Sequence, residues 1–378
     1  MKIYNQPWKL IPNKIRSSGG REIDKFRGVL PAVDTPDGSE AWIGSVTRVA
    51  FPPPDKPNWG CSEVILPDGR KMFLFEAIAL DPKKTLGERH MALHGTNLGM
   101  LIKYLDAKEQ YLLQCHPTRE WAKKVWNSNF GKEESWYVIG CRDDTEEPAY
   151  VILGFKEGVT RKEFEDLYRK EDIRGLENLC HKVPVQPGDV FFVGGGLIHA
   201  LGEGCFVIEV QEPSDITAVP ITNEKYAKKQ KRKILESDAD YERKMLGSFI
   251  YDGCSYEENL HRWKIPYKTI RRGDWGQEYI LIGPDQTSYF SFSRIDVKGR
   301  INIASTGFPR AAIVMEGSGK FIFDSNGVGS FGNPGSGGTP GSLELRKGDE
   351  IFLPWDIPRL ELEGDISIIF CNPEGVAI

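Results

Sequence analysis

Several things are missing from this 378-residue chain, and each absence removes a class of protein. Basic residues are not in surplus: 49 Lys and Arg stand against 54 Asp and Glu, for a net charge of -5. No general positive field exists to draw nucleic acid or an anionic membrane. No apolar run approaches the roughly 20 residues that span a bilayer. The opening MKIYNQPWKLIPNKIRSSGG lacks the apolar stretch of a secretory signal. Cys-x-x-Cys pairs are absent too. The seven cysteines, at 61, 115, 141, 180, 205, 254 and 371, are odd in number and scattered. That is the pattern of reduced thiols in a cytoplasmic protein, not of a disulfide framework or zinc ribbon. The expected location is cytoplasmic, with neither nucleic acid nor membrane as a partner.

Glycine and proline, by contrast, are plentiful at 40 and 24 residues, and they separate many short β-branched and aromatic runs. This favours an all-β architecture with some helix. WYVIG (136–140), AYVILGF (149–155), VFFVGG (190–195) and CFVIEVQ (205–211) read as strands, as does the run from Leu101 to Ala107. KMFLFEAIAL (71–80) fits a strand or a buried helix. TREWAKKVW (118–126) follows a proline with helical spacing, which puts Trp121 and Val125 on one face. Residues 160–179 and 223–246 read as helices, the second highly charged and on the surface. Strands return from about residue 267, so a domain boundary is expected between the last helix and those strands. SNGVGSFGNPGSGGTPGS (325–342) reads as a long hairpin loop without chemistry. A phosphate cradle would need a helix N-terminus after it, and none follows.

Two segments follow one template. PGDVFFVGGGLIHAL (187–201) and KGDEIFLPWDIPRLEL (347–362) both start at Gly-Asp, run through an apolar strand to a Gly or Pro turn, and return. Each reads as a β-hairpin. The position that is His199 in the first copy is Arg359 in the second. The template resembles the second half-motif of the cupins: Gly, five residues, Pro, one residue, Gly, two residues, His. The first copy has Gly194 for the proline and keeps Gly196 and His199. The second keeps Pro354 and loses the histidine. The expected fold is therefore all-β with helical insertions, built as two cupin-type jelly rolls (double-stranded β-helices), with a metal only in the first.

LLQCHP (112–117) places a glutamine and a histidine two residues apart, just after an apolar strand. Side chains alternate along a strand, so Gln114 and His116 would share a face. In a small barrel that face points inward, where an unbonded polar group is costly. A hydrogen-bonded place in the core accounts for one such residue. With His199, and with Glu134 in GKEESWYVI, a second account opens. Two His, one Glu and one Gln form a nitrogen and oxygen ligand set. It suits zinc or another first-row divalent ion and leaves positions open to substrate. Glu209 and Gln211 alternate with apolar residues and share a face. They fit either a shell that orients ligands or a structural hydrogen-bonded pair.

Five blocks in one order resemble the type I phosphomannose isomerases, a metal-dependent cupin family. GSEAWIGS (38–45) resembles G-E-S-W-x-x-S, and MLIKYLDAKEQYLLQCHP (100–117) resembles the LLIK-LDA-LS-Q-HP block. GKEESWYVI (131–139) resembles GKTE-WYI, GGGLIHAL (194–201) the G-x-x-HA turn, and EVQEPSD (209–215) E-x-Q-x-SD. The resemblance covers most of the chain and is densest from 95 to 215. It implies one zinc ion per chain held by Gln114, His116, Glu134 and His199, with another divalent metal as the alternative. It implies interconversion of mannose 6-phosphate and fructose 6-phosphate through an enediol. It also implies a catalytic Lys132, an acid at Asp215 beside the site, and a phosphate contact at Lys103. Taken alone, these three read as solvated charges or loop caps.

Two positions depart from the family. An arginine usually lies four residues after the aspartate of the Ser-Asp pair; Val219 stands there. A serine usually lies two residues before the ligand glutamine; Leu112 stands there. Valine cannot stabilise negative charge as a guanidinium does. A basic residue in EKYAKKQKRK (224–233) or Arg262 could substitute. The substrate could instead be a related sugar acted on by an isomerase or epimerase, or the chain could bind metal and sugar without turnover. The expected division is a metal-binding catalytic domain over 1–220, a helical connection over 221–262 and a second jelly roll without ligands over 263–378. The expected partner is a small sugar or sugar phosphate.

Overall fold

The computed structural model describes residues 3–50, 52–220, 239–324 and 340–376. In chain order its strands are β1 (Trp8–Ile11), β2 (Glu40–Ile43), β3 (Glu63–Ile65), β4 (Lys71–Phe73), β5 (Leu101–Asp106), β6 (Glu134–Cys141), β7 (Tyr150–Phe155), β8 (Cys180–Pro184) and β9 (Val190–Val193). They continue with β10 (His199–Leu201), β11 (Cys205–Gln211), β12 (Lys268–Gly273), β13 (Gly276–Ile282), β14 (Phe290–Asn302), β15 (Arg310–Asp324), β16 (Pro340–Arg346), β17 (Glu350–Leu353) and β18 (Leu360–Pro373). Strand pairing is antiparallel throughout the sheets, as short alternating runs between turns dictate. Among the described residues no helix is long and apolar enough to cross a membrane.

The described residues form three sheets. One has five strands in the order β2–β5–β11–β6–β9, one has three in the order β10–β7–β8, and one has ten. The ten-stranded sheet runs β12–β13–β14–β18–β15–β17–β1–β3–β4, with β16 on β15. The five-stranded sheet is buried on both faces. Ile43, Ile102, Tyr104, Ile208 and Val210 on one face share a core with Phe290, Phe292 and Ile313 of the ten-stranded sheet. Leu105, Trp136, Val138 and Val207 on the other pack on Val151, Leu153 and Leu201 of the three-stranded sheet. Burial on both sides explains why these strands read as near-continuous apolar runs.

Several expectations need revision. The two Gly-Asp segments are not hairpins. β9 pairs with β6 while β10 pairs with β7, so the first copy crosses from one sheet to another at its glycine turn. In the second copy β17 and β18 lie on opposite sides of β15. The helix expected over 160–179 is two, Arg161–Arg169 and Ile173–Asn178, broken near Glu171, whose φ is 54°. KMFLFEAIAL divides into β4 and a helix over Leu74–Leu80. The helix expected over 118–126 forms over Arg119–Val125, and the Thr118 hydroxyl accepts from Trp121 N. Of the helix expected over 223–246, Ala239–Leu246 is described. The lysine-rich run 224–233 and residues 325–339 of the Gly/Ser stretch lie outside the described residues.

Candidate metal centre

Strand register gathers the site on one face of the five-stranded sheet. Glu209 of β11 lies between Lys103 of β5 and Trp136 of β6, and Gln211 lies opposite Glu134. Lys103 in turn lies opposite Trp42 of β2. Directly opposed residues share a face, so Trp42, Lys103, Glu209, Gln211, Trp136 and Glu134 all point toward the three-stranded sheet. From that sheet His199 at the start of β10 faces back. LLQCHP runs alongside as extended chain with isolated bridges, Gln114 to His199 and Cys115 to Ala218. The Gln114 amide nitrogen comes within 3.4 Å of His199 Nε2.

Two glycines allow this close approach. A Cβ on Gly131 would lie 2.7 Å from Pro117 O and Arg119 N, so only glycine lets the segment leading to Lys132 and Glu134 press on the one after His116. Gly196, at φ +87°, donates its N–H to His116 O at 2.6 Å. A side chain there would be strained and would meet Ile250.

His116, Glu134 and His199 form a buried cluster whose ligand atoms lie within 4.8 Å of one another. His116 Nε2 is 3.1 Å from Glu134 Oε2, and His199 Nε2 is 3.3 Å from Glu134 Oε1. Each ring donates its Nδ1 hydrogen to a backbone carbonyl, His116 to Ile216 O at 3.0 Å and His199 to Leu197 O at 2.9 Å. Both Nε2 lone pairs are thereby aimed at the carboxylate. Glu134 Oε1 is buried with no hydrogen-bond partner among the described residues. Two neutral imidazole nitrogens and a buried carboxylate converge with no hydrogen of their own between them, and this donor set fits a divalent metal ion. Burial lowers both histidines, His116 to about 3, which keeps the rings in their ligating form. Burial alone would raise the Glu134 carboxyl, but the Lys132 ammonium beside it holds it well below the usual range.

The other expected residues lie in the same charged layer. Lys132 Nζ donates to His116 Nε2 at 2.7 Å and to Glu134 Oε2 at 2.9 Å, and burial lowers its ammonium. Lys103 is buried, donates to Glu209 Oε1 at 2.7 Å and to Gln211 Oε1 at 2.5 Å, and lies over the Trp42 ring. One of its three hydrogens remains for a ligand. Gln211 anchors itself by donating to Glu212 O and Ser214 O. Asp215 accepts from Arg16 Nη2 at 2.5 Å and from Ala50 N at 3.0 Å. Burial opposes its charge, but Arg16 and Lys103 hold the carboxyl far below the usual range.

Arg16 has no counterpart in the sequence reading. It comes from a loop at φ 67°, bonds Asp215, approaches Glu40 at 3.4 Å and lies 5.0 Å over the Trp42 ring. Glu40 and Trp42 belong to GSEAWIGS; nothing in KIRSSGG marked Arg16. Arg262, one of the candidate substitutes, instead pairs with Glu258 of its own helix, Tyr256–Trp263, and with Asp252 just before it. Leu112 and Val219 are both buried.

No family model matches the chain. It is 26% identical over 287 residues to mannose-6-phosphate isomerase ManA of Bacillus subtilis (strain 168), covering 73% of this chain and 76% of ManA. The crystal structure of the mannose 6-phosphate isomerase from Bacillus subtilis superposes with a TM-score of 0.69 at 21% identity, over 97% of this chain and 99% of that one. A zinc-bound mannose 6-phosphate isomerase structure superposes with a TM-score of 0.68 at 15% identity, over 97% and 99%. The chain thus has the fold of the phosphomannose isomerases and is similar in sequence to mannose-6-phosphate isomerases.

Proposed function

We propose that this chain is a zinc-dependent aldose–ketose isomerase that interconverts mannose 6-phosphate and fructose 6-phosphate through an enediol. The observation that carries the reading is the buried convergence of two imidazole lone pairs on the Glu134 carboxylate, whose Oε1 has no hydrogen-bond partner among the described residues, in a chain similar to mannose-6-phosphate isomerases. Gln114, His116, Glu134 and His199 would hold the ion. Zinc, when bound, supplies a Lewis acid that polarises the sugar carbonyl and steadies the charge developing on its oxygen.

The proton between C1 and C2 needs a positioned acid/base, and Lys132, touching His116 and Glu134, is the residue within reach. Asp215, held ionised by Arg16, would serve to position that guanidinium. Arg16 then offers positive charge near the sugar in place of the arginine missing at Val219. Lys103 would give its remaining hydrogen to the phosphate. In this reading residues 1–220 carry the catalytic cupin jelly roll, 221–262 connect, and 263–378 form a second jelly roll without ligands, whose sheet β1, β3 and β4 extend.

The buried Leu112 and Val219 favour one second reading, the same isomerase chemistry on a related sugar. Incubating the zinc-loaded protein with mannose 6-phosphate while following fructose 6-phosphate by NMR tests both. Conversion is the expected result. No conversion with zinc bound, but turnover of another sugar in a panel, would replace the substrate. No turnover of any sugar would leave a metal- and sugar-binding protein.

A further inference from the structure

A cavity of about 710 Å³ opens on the ten-stranded sheet, apart from the metal cluster. Ile270, Ile280, Ile295, Ile303 and Phe370 form the apolar part of its wall. Two polar side chains at its base are incompletely satisfied. Ala311 of β15 pairs with Cys371 of β18, so Arg310 and Asn372, each one residue away in opposite directions, lie side by side on one face.

Arg310 donates to Ala304 O at 3.0 Å and lies 5.0 Å over the Phe370 ring. Among the described residues no carboxylate pairs with it. The two carboxylates lining the cavity are already taken, Glu278 by Arg271 at 2.6 Å and Asp285 by Lys268 at 3.0 Å. Lys268, Arg271 and Arg310 against Glu278 and Asp285 leave one positive charge over. Burial pushes the Arg310 guanidinium down to about 10, so it stays protonated at neutral pH. Asn372 is 4% exposed, donates to Ser291 Oγ at 3.3 Å, and has a buried Oδ1 without a partner among the described residues.

We propose that this cavity is a binding site for a small hydroxylated organic anion, whose phosphate or carboxylate pairs with Arg310 and whose hydroxyl donates to Asn372. A guanidinium fork matches either oxyanion in a bidentate pair. The orphaned amide oxygen asks for a donor, which a carbon-borne hydroxyl beside the oxyanion supplies. A buried acceptor left unbonded is costly, so a ligand satisfying both groups gains over one satisfying either.

The test uses the full chain with isotope-labelled isoleucine methyl groups, titrated separately with glycerol 3-phosphate and glycerate and followed by NMR. One or both should shift the methyls of Ile270, Ile280, Ile295 and Ile303, and which one does so identifies the oxyanion. Uncharged glycerol should leave them in place. Arg310→Gln should weaken binding at least tenfold. Arg310→Lys, which keeps the charge but loses the fork, should fall between, and guards against a glutamine variant that fails to fold. If neither anion moves those four methyls in the wild-type protein, or if Arg310→Gln binds as well as wild type, the site does not exist as described.

Discussion

His199 brings to the cluster a nitrogen from the three-stranded sheet, while Glu134 comes from the five-stranded one. Its Nδ1 is fixed by Leu197 O, so its Nε2 has no other way to turn. His199→Ala should therefore reduce bound zinc from one ion per chain to none after dialysis, read by atomic absorption, and abolish isomerisation with it. Stoichiometric zinc in that variant would take His199 out of the ligand set. Arg16 belongs to the same scale and is its counterexample. The histidines announced themselves by lying in apolar surroundings, where a polar residue needs a reason. Arg16 sits in a polar loop, where arginine is common, and its partner Asp215 is 199 residues away.

At the scale of elements, most of the site geometry is strand register. A slip of one residue between β11 and either neighbour would turn Lys103 or Glu134 to the opposite face. The alternation of Glu209 and Gln211 with apolar residues made a shared face legible in the sequence. Which residues oppose them was not, because register depends on partners far along the chain. The helix Arg21–Arg27 shows how such elements are held. Arg27 donates to Glu350 Oε1 at 2.8 and 2.6 Å and to Asn13 O at 2.8 Å, with both charged side chains nearly inaccessible. Burial raises the Glu350 carboxyl, and Arg27 opposes the rise. Arg27→Ala leaves that carboxylate buried and unpaired, and should cost about 3–5 kcal/mol in urea unfolding. A loss below about 1 kcal/mol, within the range of a surface ion pair, would show the pair is not buried in solution.

For the whole molecule, the N-terminal segment matters more than its length suggests. β1 lies between β17 and β3, with Trp8 fully buried and its ring 5.3 Å from that of Phe352. A fragment of residues 263–378 would leave one edge of β17 unpaired and its apolar face uncovered. It should aggregate or stay loosely packed, without the near-ultraviolet circular dichroism of a fixed core. A monomeric fragment that unfolds cooperatively would show that β1 is dispensable to that sheet.

By itself the sequence determined the strand-rich class, the strands around the site, and the ligand candidates Gln114, His116, Glu134 and His199. Each depends on local alternation or on a polar residue standing in an apolar run, and both survive in one dimension. The tertiary structure alone decided that the first Gly-Asp segment crosses between sheets and that the second straddles β15, instead of either folding back. It also decided that Arg16 meets Asp215, that β1 joins a sheet made mostly of C-terminal strands, and that Arg310 has no carboxylate partner among the described residues. These are pairings between residues distant in the chain. The cost of closing such loops grows only slowly with their length, so spacing in the sequence carries little information about them.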